Sequence, residues 1–432
     1  MAVIADVGTG RSEMRGWTAG ALFTIAFLGV TAGVQMSDRG LQSVLLGQIQ
    51  QTFAVGDATI GALQGLAGVL VGSAAAVPLA RLADRFSRKL VLIGLIVGWT
   101  LLMALSAVAT TFPLFFVGRA ASGVTEFAMI PIVYSLIPDL APERHRVAAN
   151  LVFAALMAAG ASAGFYFGDA IVRVAQAAIP LALAPWRLAY LLLSLAGVPL
   201  LLLALLTTDP PRRVAAEDVA AHGALLPFLR ERWRAVGLFV GVAGSLMIAV
   251  QALNPLIALA LGRRFGGASG EIGRAMGEIT LIASIGCLPV AGFLDRALRP
   301  RLGERARPAV MGAGALLAIP CAVALPLVGD VGAALAVVAA FLFVTCTANA
   351  LVPTMLQDLT PASLRARSFA IWSFVVSVFC AVGPLVAGAL SDVAFGGRLL
   401  TAIAVTAVPA LAVSVVCAVR SARAAHTARS GS

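Results

Sequence analysis

Residues 58–89 read ATIGALQGLAGVLVGSAAAVPLARLADRFSRK. From Ala58 to Ala80 there is no charge; of the next nine residues, four are basic and one, Asp84, is acidic. About 20 apolar residues at 1.5 Å rise cross the hydrocarbon of a bilayer as a helix. A helix also satisfies its own backbone hydrogen bonds, as hydrocarbon requires. The stretch therefore reads as one membrane span ending in a short basic loop.

The same unit recurs along the chain. Uncharged runs cover Gly16–Ser37, Leu90–Gly118, Val147–Gly168, Leu188–Thr208, Ala235–Gly262, Ile279–Leu294, Pro308–Gly329, Val331–Gln357, Ser368–Ser391 and Leu399–Val419. Pro113–Ile137 is apolar apart from Arg119 and Glu126, and reads as a fourth span carrying two buried charges. The run from Ile279 is short, so its helix is expected to start near Glu271. Together these give twelve spans. The first is long, lacks a clean cleavage site and runs into Asp38-Arg39, so it reads as a retained span rather than a signal peptide. Composition agrees: 60% of the 432 residues are hydrophobic and 12% charged, against about 25% charged in soluble domains. The expected fold class is an all-α integral membrane protein.

Orientation follows from the arginines and lysines. With the N-terminus in the cytoplasm, 23 of the 31 fall in cytoplasmic segments, and six (Arg173, Arg187, Arg263, Arg264, Arg274 and Arg398) fall outside. This bias puts both termini inside, in the cell's inner (plasma) membrane. It also accounts for the net charge of +11 without nucleic acid as a partner. Cys287, Cys321, Cys346, Cys380 and Cys417 all fall in spans with no close pair; they read as small packing residues, and no metal site is expected.

The chain repeats itself. Pro78-Leu-Ala-Arg-Leu-Ala-Asp84-Arg85 follows span 2, and Pro289-Val-Ala-Gly-Phe-Leu-Asp295-Arg296 follows span 8. Asp139-Leu-Ala-Pro142 with Arg146 follows span 4, and Asp358-Leu-Thr-Pro361 with Arg365 follows span 10. Two patterns in the same order, at the same helix ends, imply parallel repeats about an axis normal to the membrane. The longest polar stretch, Thr207–Arg234, lies between them. The expected organisation is a six-helix bundle over residues 1–206, a cytoplasmic linker at 207–234, a second six-helix bundle at 235–420 and a tail at 421–432.

Asp84-Arg85-Phe-Ser-Arg88-Lys89 resembles the signature loop of the major facilitator superfamily, Gly-x-x-x-Asp-Arg-x-Gly-Arg-Arg/Lys, with Ala80 and Ser87 in place of its glycines. That resemblance implies two six-helix bundles that rock about a central cavity. It also implies that Asp84, with Arg85, Arg88 and Lys89, latches one conformation through a helix N-terminus of the other half. Asp295 and Arg296 are the repeat of that loop. An anion at a helix N-terminus is stabilised by about 0.3–1 kcal/mol.

Two other patterns bear on chemistry. Glycines recur every fourth residue at Gly160, Gly164 and Gly168, and in the series Gly61, Gly65, Gly68 and Gly72, where helices can approach closely. Gly160-Ala-Ser162-Ala-Gly164 also matches a Gly-x-Ser-x-Gly nucleophile elbow. A serine nucleophile needs a base, and His145, His222 and His426 all lie outside the spans, so hydrolase chemistry is rejected. ATP-driven transport is rejected too: the single lysine, Lys89, is followed by Leu90, whereas a P-loop needs Gly-Lys-Ser/Thr. No cofactor is expected, and energy would come from a partner protein or an ion gradient.

Charges at membrane depth cost at least about 2.5–3.5 kcal/mol each unless paired or hydrated. Asp38 and Arg39 in span 1, with Arg119 and Glu126 in span 4, are therefore either a structural ion-pair cluster or a proton-coupling site facing the cavity. Their charges sum to zero, so one added proton makes the cluster +1 and changes its attraction for an anionic cargo. Around them, Ser37-Asp38-Arg39, Phe53-x-x-x-Asp57-x-x-Ile60-Gly61 and Arg119-x-x-Ser-Gly123-Val-Thr-Glu126 resemble a Spinster-type facilitator. Thr125 and Phe127 replace a glycine and an alanine of that pattern. The resemblance implies proton-linked transport of a small amphiphilic, lipid-like molecule. Drug or metabolite efflux without lipid preference is the alternative, and a receptor or a passive channel are rivals of other kinds. Phe127, Gln251, Asn254, Asn349 and Trp372 are the further residues expected to line the cavity, whereas Asp169 and Asp392, at span ends, read as solvated.

Overall fold

The computed structural model describes residues 19–74, 79, 86–141, 145–207, 225–266, 269–361 and 364–430. Asp84 and Arg85 lie outside the described residues. Long helices dominate. In chain order they are α1 (Ala19–Phe53), α2 (from Asp57), α3 (Arg88–Val108), α4 (Phe112–Leu140), α5 (Arg146–Tyr166, resuming as Gly168–Ala178) and α6 (Pro185–Leu205). A short helix, Leu225–Glu231, precedes α7 (Trp233–Leu253, resuming as Ile257–Phe265) and α8 (Ser269–Leu302). They are followed by α9 (Ala306–Ala324), α10 (Val331–Asn349, resuming as Val352–Leu359), α11 (Arg365–Val393) and α12 (Leu399–Ser430).

Among the described residues, ten stretches are long and apolar enough to cross a membrane. One of them, Gly270–Ala324, holds both α8 and α9, and α2 runs into undescribed residues at 75, so the twelve spans read from hydropathy are accounted for. The start of α8 at Ser269 extends the short run at Ile279 in the expected direction.

The helices break where backbone hydrogen bonding fails. Pro255 lacks an N–H to continue the ladder, and α7 is interrupted at 254–256. α2 changes from α-helix (Asp57–Ala62) to π-helix over Leu63–Val71, a geometry that concentrates at functional positions.

The expected glycine faces are where helices meet. A Cβ on Gly160 would fall on the backbone of Gly33, and one on Gly164 on the carbonyl oxygen of Ser37, so α1 and α5 touch backbone to backbone. The α2 series splits: Gly61 and Gly65 face the Pro384 and Ala381 carbonyls of α11, whereas Gly72 faces Gly123 and Phe127 of α4.

The repeat patterns meet in space. Arg88 at the start of α3 pairs with Asp139 at the end of α4, 2.6 Å apart. Arg307 at the start of α9 pairs with Asp358 at the end of α10 and, at 3.1 Å, with Asp295. Both the Arg88–Asp139 and the Arg307–Asp358 pairs join residues 51 apart in sequence. Lys89 donates to the Leu205 and Thr207 carbonyls at the end of α6, and Arg296 is exposed. At this end of the molecule these ion pairs stay inside one half.

At the opposite end the two halves touch. α2 lies on α11, and α5 on α8, where the Ser162 hydroxyl donates to the Gly277 carbonyl at 2.6 Å. The serine of the apparent nucleophile elbow is thus a fastener between helices. Overpacking costs about 1–3 kcal/mol even where neighbours can shift. Gly160→Leu is therefore expected to lower the thermal unfolding midpoint of the purified protein clearly. Gly94→Ala, with nothing within 4 Å of the added methyl, should leave it unchanged or slightly raised.

Candidate functional site

Asp38 and Arg39 are neighbours on α1, so their side chains leave the helix about 100° apart. That angle sends them to different partners. Asp38 is fully buried and accepts a hydrogen bond from Arg119 at 2.7 Å. Arg39 reaches Glu126 at 2.9 Å. The two acids and two arginines thus form two ion pairs, each joining α1 to α4. Arg119 and Glu126, on one face of α4, serve different pairs.

The pairs differ in surroundings. The Arg119 guanidinium also donates to the Gln42 carbonyl oxygen at 2.9 Å, contacts the Met103 sulfur at 3.6 Å and lies over the Tyr190 ring at 5.3 Å. Only 4% of its side chain is exposed. The planar fork is engaged by a carboxylate and an amide at once, the arrangement for which guanidinium is suited. Arg39 is 32% exposed, and its guanidinium sits over the Phe127 ring at 4.5 Å. Glu126 is 1% exposed, and its second carboxyl oxygen has no hydrogen-bond partner in the protein.

A cavity of about 170 Å³ opens beside this cluster, lined in the first half by Arg39, Gln42, Gln64, Arg119 and Glu126. Gln251, Asn254, Pro255 and Thr280 line it from the second half. Gln64 comes from the π-helical part of α2 and Asn254 from the break in α7, so both irregular backbones face the cavity. The Gln64 amide nitrogen, the Asn254 amide oxygen and the Thr280 hydroxyl carry no hydrogen bond within the protein. An amphiphile's polar head would find donors and acceptors there, with Met36, Val69 and Phe165 as apolar wall.

Several expectations need correction. Trp372 is not on this cavity; it packs on Phe239 with ring centroids 4.8 Å apart, in a separate apolar pocket beside the helix Leu225–Glu231. Asn349 ends the first segment of α10 and is not among the residues lining this cavity. Phe127 lies beneath Arg39 and against Gly72 rather than on the wall. Asp392 is exposed but not merely solvated: its carboxylate accepts the backbone N–H groups of Asp57 and Ala58, at 3.0 and 2.8 Å. Asp57 itself, buried and bonded to the other half, went unmarked as a site because an acid at a span boundary reads as a solvated end. Gln42, Gln64 and Thr280 were likewise missed, since uncharged polar residues in a span give no signal beyond their type.

The Major Facilitator Superfamily model matches residues 28–352. An MFS-type efflux pump of Mycolicibacterium smegmatis is 25% identical over 406 residues, covering 90% of this chain and 88% of that protein. A triacylglyceride transporter of Mycolicibacterium hassiacum is 28% identical over 226 residues, 51% of this chain and 37% of that protein. Among solved structures, a bacterial homologue of the human lysosomal transporter Spinster, inward-facing and unoccupied, is similar with TM-score 0.77 at 21% identity, covering 94% of this chain and 96% of that one. An inward-facing, occupied structure of such a homologue gives 0.75. At that identity the likeness is one of fold. With three-quarters of its length matched by the family model, the chain belongs to the Major Facilitator Superfamily and is a multi-pass membrane secondary transporter, not an enzyme.

Proposed function

We propose that the chain carries a small amphiphilic organic molecule across the membrane by alternating access, driven by protons. The observation that carries this reading is the division of the buried charges. In one pair the carboxylate, Asp38, is fully buried and off the cavity wall; in the other, Arg39–Glu126, both partners line it. A proton taken by Glu126 removes the counter-charge of Arg39 and leaves a guanidinium facing the cavity. An anionic head can then replace the carboxylate, and its departure lets Glu126 ionise again. Coupling in this scheme is competition between the Glu126 carboxylate and a headgroup for one guanidinium, with the proton deciding which of them holds it.

The lipid-like cargo rests on the apolar wall next to Arg39 and on the named activity of the triacylglyceride transporter relative. Efflux of drugs or metabolites without lipid preference is the second reading, favoured by the relative named as an efflux pump. On this proposal the protein sits in the plasma membrane, the end bearing Arg88 and Asp139 and both termini are cytoplasmic, and the linker 207–234 joins bundles 1–206 and 235–420. The loop from Asp84 keeps its proposed latch role.

Glu126→Gln imitates the protonated acid. In proteoliposomes it should abolish accumulation driven by a pH gradient while leaving exchange at equal pH. Undiminished gradient-driven accumulation would remove Glu126 from coupling.

The two arginines should also separate. Arg39→Lys keeps the charge but loses the fork, so affinity for an alkyl phosphate should fall about tenfold or more, the size of one charge-assisted hydrogen bond, with little change for the corresponding alcohol. Arg119→Lys disturbs a buried pair. Breaking such a pair outright costs about 3–5 kcal/mol, so its main effect should be a lower unfolding midpoint. Equal losses for phosphate and alcohol in Arg39→Lys would argue for drug-like breadth.

A further inference from the structure

At the end of the molecule opposite Arg88 and Asp139, one buried carboxylate holds the two halves together. Asp57 begins α2 and is 3% exposed. Arg263, at the end of α7, grips it with both terminal nitrogens, at 2.8 Å to one carboxylate oxygen and 2.6 Å to the other. The Ser391 hydroxyl of α11 donates to it at 2.6 Å, and the Gln50 amide of α1 at 2.9 Å. A carboxylate offers about four acceptor positions, and all are used. Three of the four donors come from the second half. Arg263 also donates to the Gln50 carbonyl oxygen, so the fork spans two groups of the first half.

Asp392 closes the same corner from the reverse direction. Its two oxygens accept the first two N–H groups of α2, which have no partner within their own helix. Close backbone contact allows this. A Cβ on Gly56 would stand 2.5 Å from the Asp392 carboxylate, and one on Gly388 would fall on the Asp57 carbonyl.

The corner across the molecule is built differently. There Asp169 packs against Gly270 at the start of α8, where an added Cβ would stand 2.7 Å from the carboxyl carbon. Asp169 pairs with Arg173 of its own helix, and that pair is largely exposed. The α5–α8 corner therefore has a hydroxyl–carbonyl bond and apolar contact, whereas the α2–α11 corner has the ion pair.

We propose that Asp57 is the positioning residue of a gate: with Arg263, Ser391 and Asp392 it forms the polar latch that keeps this mouth of the transport path shut. Opening the mouth requires α1 and α2 to leave α7 and α11, which breaks six hydrogen bonds between halves at this corner. Arg263 is one-third exposed, so it can turn to solvent when Asp57 departs. Asp57 then remains with Gln50, its partner within the first half. The gate is thus reversible without stranding a buried cation.

The test is a distance measurement between spin labels at Thr110→Cys, in the loop after α3, and Gly329→Cys, in the loop before α10. The full chain in nanodiscs is used, with the five native cysteines replaced. The unsubstituted gate should give one short distance. Asp57→Asn and Arg263→Gln should each add a longer population, shifting the ratio about tenfold or more, the size expected for lost hydrogen bonds to a charged group. Ser391→Ala should shift it less, in the same direction. Exchanging the pair, Asp57→Arg with Arg263→Asp, should return the short distance, a rescue that a purely packing role would not give. Asp169→Asn should leave the distribution alone. Unchanged distributions in Asp57→Asn and Arg263→Gln, or an equal shift in Asp169→Asn, would overturn the assignment.

Discussion

Four formal charges at membrane depth must be neutralised before the rest of this fold can hold. Asp38, Arg39, Arg119 and Glu126 meet that constraint by pairing with one another across two helices. The 100° turn between neighbouring residues of α1 makes the outcome asymmetric. One pair is driven into the packing between α1, α3, α4 and α6, where Met103 and Tyr190 hold Arg119 and Asp38 is kept off the cavity. The other is left at the cavity. The first fixes α1 against α4, and the second can exchange its counter-ion without loosening that junction. A site able to change charge needs a neighbour that does not, and here the two pairs are anchored on consecutive residues of α1.

The same economy governs the ends of the molecule. At one end, Arg88–Asp139 and Arg307–Asp358 tie helices within each half at identical sequence separation. These pairs tie each half to itself. At the other end, Asp57 and Asp392 spend their hydrogen bonds across the halves. Rigid bodies joined by a breakable polar seam are what rocking about a central cavity requires. The glycine contacts bring backbones close enough for the seam to form, since Gly61 and Gly65 let α2 lie directly on α11.

Much of this was legible in the sequence because lipid is a simple solvent. Hydrocarbon allows few charges, so uncharged runs mark the spans and the exceptions mark the cluster. The repeated Asp-Leu-x-Pro pattern pointed to duplicated halves, and the arginines at 88 and 307 give that duplication a geometric form. What stayed hidden depends on direction around a helix and on partners far along the chain. Nothing local distinguishes Asp57 from a solvated helix end; Arg263, 206 residues away, makes it a junction. Trp372 has the composition of a cavity residue, but its position on α11 turns it toward Phe239. Asn254 was named simply as a polar residue within a span, whereas Gln64, of the same kind, owes its place to a π-helical turn that no residue type announces.

The central claim is that Glu126, and not the sealed Asp38, is the carboxyl that exchanges a proton with the cavity. Infrared difference spectra between acidic and neutral proteoliposomes read protonated carboxyl groups directly and need no cargo. The account predicts a protonated-carboxyl band in the unmodified protein that disappears in Glu126→Gln. A band that survives Glu126→Gln at full strength would contradict it and place the titrating group elsewhere.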